Sequence, residues 1–94
     1  MNDQKVCVVT GIGPGLGSAY ARRFAAGGYR VALLGRTPEK LETYAAEIHG
    51  SLPVVCDVSD ARAVADAFER IRAELGEPTV VVHNAGSGVF KGFL

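Results

Sequence analysis

The sequence predicts an α/β fold, a parallel sheet of four strands in the order 3-2-1-4 with flanking helices. Three observations predict it. Apolar runs of strand length alternate strictly with stretches of helical periodicity along the 94 residues. Those runs are nearly continuous, as expected of parallel strands covered on both faces. The first run, Val6 to Thr10, leads into glycines at every second position, Gly11, Gly13, Gly15 and Gly17, just where helical spacing begins. Successive right-handed crossovers then give the strand order and place the topological switch between the first and fourth strands.

Each element has its own signal. The first helix spans Leu16 to Ala26, with Leu16, Tyr20 and Phe24 every fourth position, and Gly27-Gly28 ends it. The second strand is Tyr29 to Leu34. A helix follows with Thr37 as N-cap and Pro38 at its first position, and Leu41, Tyr44, Ala45 and Ile48 form its apolar stripe up to Gly50. The third strand is Leu52 to Cys56. Ser59 or Asp60 caps the third helix, whose stripe is Val64, Phe68, Ile71 and Leu75, and Gly76 with Pro78 closes it. The fourth strand is Thr79 to His83. No repeat, low-complexity segment or linker interrupts the pattern, so residues 1–94 read as one small domain.

Composition narrows the partners. Ten basic and ten acidic residues cancel and are dispersed along the helices, so neither a nucleic-acid nor a membrane surface is expected. No run reaches the ~18 apolar residues of a membrane span, and the start MNDQK lacks a signal-peptide layout. A cytoplasmic protein with a small-molecule partner is the expectation. Cys7 and Cys56 lie on strands separated by another, about 9–10 Å apart, too far for a disulfide. Both read as buried apolar residues, with a reactive thiol at Cys56 the less favoured alternative. The two histidines and two cysteines show no metal-ligand spacing.

The glycine stretch carries the chemistry. A helix N-terminus offers unpaired N–H groups and partial positive charge, a ready site for phosphate. Gly11 suits a tight turn off the strand, Gly15 leaves no side chain against a ligand, and Gly17 lets the helix lie close to the sheet. Pro14 shapes the loop without adding a donor. The spacing is not GxGxxG, because Leu16 and Ser18 stand where the third glycine would fall. It is TGxxxGxG, formed by Thr10, Gly11, Gly15 and Gly17. That pattern resembles the short-chain dehydrogenase/reductase family, oxidoreductases of Rossmann-type fold that use NAD or NADP. The alternative is a glycine turn with no ligand, but the strand before it and the helix after it supply the context for dinucleotide binding.

The resemblance implies a cofactor site made of Gly11, Gly13, Pro14, Gly15, Leu16, Gly17, Arg36, Asp57, Val58, Asn84, Ala85 and Gly86. At the second-strand exit a carboxylate would suit the ribose hydroxyls of NAD, whereas arginine can hold the extra phosphate of NADP. This chain has Gly35-Arg36 there, with Thr37 and Lys40 nearby, so NADP is expected over NAD. An ordinary exposed arginine is the bland alternative. Asp57 and Val58 look like the family's pair beside the adenine, and Asp57 also suits the turn near Ser59. Asn84-Ala85-Gly86 resembles the second half of the family's NNAG motif, with His83 in place of its first asparagine.

In the resembling family a serine, a tyrosine and a lysine in the pattern YxxxK, helped by an asparagine, carry the chemistry in the second half of the chain. Here Phe24, Leu33 and Ile48 follow Tyr20, Tyr29 and Tyr44 at the lysine's distance, so no YxxxK occurs and no catalytic residue is assigned. The chain therefore reads as the cofactor-binding half of an NADP(H)-dependent oxidoreductase acting on a carbonyl or alcohol, truncated after the fourth strand. The fourth strand would then present an open edge that favours self-association or a homo-oligomer. A non-catalytic NADP(H)-sensing module is one rival. An S-adenosylmethionine site is another, which Arg36 disfavours because such sites usually want an acid there.

Overall fold

The computed structural model describes residues 5–11 and 16–83. Its elements follow in the order β1 (Val6–Thr10), α1 (Leu16–Ala26), β2 (Arg30–Gly35), α2 (Pro38–Glu47), β3 (Leu52–Val55), α3 (Ala61–Glu74) and β4 (Pro78–His83). The strands form a parallel sheet in the order β3-β2-β1-β4, as the alternation predicts. Boundaries move by a residue or two. β2 starts at Arg30 and reaches Gly35. Cys56 lies just past β3, although its N–H still donates to the Gly35 carbonyl at 2.8 Å. Pro78 opens β4, a strand-start position where its missing N–H is tolerated. α2 stops at Glu47 with Ile48 as C-cap, so His49 falls beyond the helix.

Side chains of a strand alternate between faces, so one sheet serves two cores. On one face Val6, Val8, Ala32, Leu34, Val54 and Cys56 pack with Ala67 and Ile71 of α3, and the predicted stripe residues Val64, Phe68 and Leu75 border them. On the other, Cys7, Val9, Val31 and Leu33 pack with Ala21 of α1 and Leu41 of α2. β1 is buried at every position because it has a strand on each side and a core on each face. Cys7 and Cys56 are free and belong to opposite cores, which accounts for the absence of a bond between them.

The buried face of α1 differs from the sequence expectation. Tyr20 is 41% exposed, whereas Ala21 is fully buried and Ser18 nearly so. Residues four apart drift about 40° per step around a helix, so a strict every-fourth stripe rotates away from the sheet. Small residues at 18 and 21 take the inner face instead and let the helix lie close. Phe24 keeps its place beside that core and meets Tyr29 edge-on, with ring centroids 5.0 Å apart.

Two side chains finish the ends of α3. Asp60 is its N-cap, the carboxylate accepting from the N–H of Arg62 at 3.0 Å and of Ala63 at 3.3 Å. At the other end Arg30 donates to the carbonyls of Leu75 at 2.9 Å and Glu74 at 3.3 Å, a cation on the negative end of the helix.

Candidate functional site

Strand register brings the predicted residues to one end of the sheet. Thr10 pairs with Leu34 on one side and His83 on the other, and Gly35 pairs with Val55. Gly11, Arg36 and Asp57 therefore leave the sheet in one row at the carboxyl ends of the strands, beside the end of β4 at His83. That end, at the switch between β1 and β4, is where ligands bind in open parallel sheets.

Gly11 has φ 71°, the left-handed region that glycine enters without strain, and it turns the chain out of β1. Leu16 and Gly17 open α1. Gly13, Pro14 and Gly15, with Asn84, Ala85 and Gly86, lie outside the described residues. Arg36 is exposed at the exit of β2. Thr37 caps α2 by its extended backbone geometry with no side-chain hydrogen bond, and Pro38 follows it in the first turn.

Asp57 adopts the turn that its neighbourhood with Ser59 suggests. One carboxylate oxygen, Oδ1, accepts both the Ser59 hydroxyl at 2.7 Å and the Ser59 N–H at 3.0 Å. These two bonds, aided by the positive charge of Arg36, hold the Asp57 carboxyl below its ordinary range. The carboxylate is thus ionised, fixed in orientation and electrostatically linked to the arginine one strand away. Val58 is half-buried against the α3-side core, so part of its surface is already committed to packing.

The setting of Cys56 disfavours a reactive thiolate. The residue is 4% exposed, and burial, then the charges of Asp57 and Asp60, push its thiol above the ordinary value. The acid that borders the site thereby disfavours a thiolate beside it. Among the described residues no group of three or more His, Cys, Asp or Glu side chains could hold a metal ion. No described helix is long and apolar enough to cross a membrane.

One contact was not legible in the sequence. Thr10 Oγ1 and His83 Nδ1 lie 2.6 Å apart across the β1–β4 pair, with Thr10 fully buried. Both residues carry a motif signal, Thr10 in TGxxxGxG and His83 at the head of the NAG sequence, but their pairing depends on register.

A model described as short chain dehydrogenase matches residues 5–94. The chain belongs to the short-chain dehydrogenase family. Its relatives include carbonyl reductase family member 4 of Xenopus tropicalis, 37% identical over 82 residues, a stretch covering 87% of this chain and 35% of that protein. Among solved structures, an actinorhodin polyketide ketoreductase with NADPH superposes with TM-score 0.86 at 30% identity, over 90% of this chain and 34% of that one. A 3-ketoacyl-(acyl-carrier-protein) reductase from Brucella melitensis complexed with NADH gives TM-score 0.77 at 35% identity, over 82% and 32%. The short-chain dehydrogenase chain described here thus spans about a third of the length of the curated relatives it matches. Its sheet and helices are the Rossmann arrangement of that family of oxidoreductases.

Proposed function

We propose that residues 1–94 are the cofactor-binding part of an NADP(H)-dependent short-chain oxidoreductase that moves hydride between nicotinamide and a carbonyl or alcohol substrate. The observation that carries this reading is the exit of β2. Arg36 stands there exposed, no acid replaces it, and its charge reaches the ionised Asp57 beside it. A guanidinium at that place suits a ribose phosphate, which a carboxylate would repel. The nicotinamide relatives support the class of cofactor, one matched structure holding NADPH and another NADH. The choice between the two rests on Arg36.

The described residues fit such a group. The left-handed turn at Gly11 starts the backbone on its path toward the N-terminus of α1, where a diphosphate would rest. Asp57, oriented by Ser59, can accept from the exocyclic amine of adenine, and the exposed side of Val58 can border the ring. Gly13, Pro14, Gly15, Leu16 and Gly17 would line the diphosphate, and Asn84, Ala85 and Gly86 the nicotinamide ribose. When bound, the nicotinamide supplies the hydride. The protein's part at this end of the sheet is to bind and orient it. A small-molecule substrate, a cytoplasmic location and self-association through the β4 edge complete the proposal.

Comparative titration of NADPH and NADH into the wild type and Arg36→Asp tests it. The wild type should favour NADPH, and Arg36→Asp should lose about tenfold to a hundredfold in NADPH affinity while keeping or improving NADH binding, as expected for removal of a charge-assisted contact. Equal binding of both cofactors by both proteins would overturn the role of Arg36.

A further inference from the structure

The β1–β4 pair contains a register shift. Val6 pairs with Pro78, yet Cys7 pairs with Val80, so Thr79 is an extra residue on the β4 side. The Thr79 hydroxyl donates to the Val6 carbonyl at 3.4 Å, a side chain serving the ladder where the strands slip. A one-residue slip exchanges the faces of every later side chain. Without it Val82 would stand opposite Thr10. With it His83 does, and Val82 joins the opposite core instead.

The consequence is polar pairing at the last rung before the switch crevice. Among the described residues the partner of the buried Thr10 hydroxyl is His83 Nδ1, at 2.6 Å. A hydroxyl with one such partner is best satisfied by donating, because a buried proton without an acceptor costs more than an unfilled lone pair. Donation from Thr10 to Nδ1 would place the imidazole proton on Nε2.

We propose that Thr79, Thr10 and His83 form a register lock in which His83 is a positioning residue, fixing the exit of β4 against the Gly11 turn so that both strand ends meet one dinucleotide. The lock rests on the proposed cofactor reading but makes a separate demand on it. A bulge three rungs before the site chooses the side chain at its rim, and the chosen imidazole accepts from Thr10. Asparagine at position 83 could make the same bond, since its Oδ1 occupies the place of Nδ1 along the side chain.

NADPH titrations of wild type, Thr10→Val, His83→Leu, His83→Asn and the Thr10→Val/His83→Leu double variant test this, each at a temperature well below its melting point. Either single loss should weaken NADPH binding about tenfold, the double variant should be no weaker than the worse single, and His83→Asn should stay within about threefold of wild type. Nitrogen-15 spectra of the imidazole should show the proton on Nε2. His83→Leu binding as tightly as wild type, or His83→Asn as weak as His83→Leu, would overturn the lock alone. A proton on Nδ1 would also overturn it. A wild-type chain that binds no NADPH would overturn the proposed function and the positioning role together.

Discussion

At Asp57 two donors from one residue converge on a single carboxylate oxygen, and both favour its charged form. Its carboxyl is held low first by the Ser59 hydroxyl, then by the Ser59 N–H, with Arg36 contributing further. A carboxyl whose folded value is depressed stabilises the fold fully above the unfolded value of about 3.9, and that stabilisation is lost as pH falls through the folded value. Asp57→Asn should flatten the acid limb of a denaturant-stability profile by lowering stability in the neutral region while leaving the most acidic end little changed. An unaltered acid limb would show that the Ser59 turn does not act on stability. Cys7 shows the opposite shift, burial pushing its thiol to about 11. Its contribution is complete below the unfolded value and falls away as pH rises toward the folded one. At pH 8 a thiol reagent should find both cysteines protected in the native chain and reactive in denaturant, and rapid native labelling would contradict their burial.

Among the elements, α3 concentrates the local devices. Asp60 satisfies two N–H groups of its first turn, and Arg30 reaches its last carbonyls from the start of β2. Asp60→Ala should cost about 1 kcal/mol, the usual value of a lost N-cap, measured by urea unfolding. Ile71, fully buried between α3 and the sheet, should lose about 0.5–1.5 kcal/mol on conversion to valine. Tyr20 is the contrast on α1. Its exposure predicts that Tyr20→Ala changes stability by no more than about 0.5 kcal/mol, whereas membership of the apolar stripe would make it costly. The Arg22–Glu47 ion pair joins α1 to α2 at the surface, where both side chains are half exposed, so little stability is expected from it.

For the molecule as a whole, the sheet order decides where stability resides. β1 and β2 have a strand on each side, and their core positions are closed on both faces. β3 and β4 each have one neighbour among the described residues, and β4 is half-buried along most of its length. Amides of β1 and β2 should therefore exchange with solvent only through global opening, and those of β3 and β4 through smaller, more frequent openings. Uniform protection across the four strands would contradict this division. The same order collects residues from the ends of β1, β2 and β3 into one row, so the proposed site at Gly11, Arg36 and Asp57 would be a property of the sheet rather than of any one loop.

The sequence by itself determined the elements and their order, the tight turn at Gly11, the cap at Thr37, the choice of Ser59 or Asp60 for the cap of α3, and the placing of Arg36 and Asp57 at strand exits. These follow from periodicity, φ preferences and hydrogen bonds between near neighbours, which a short stretch of chain sets for itself. Tertiary structure decided which face of α1 is buried, how Arg36 and Asp57 influence one another, and that His83 rather than Val82 stands opposite Thr10. Those outcomes depend on pairing between distant segments, Thr10 and His83 being 73 positions apart. In such pairing one extra residue at Thr79 reverses every face that follows, and no local preference encodes it.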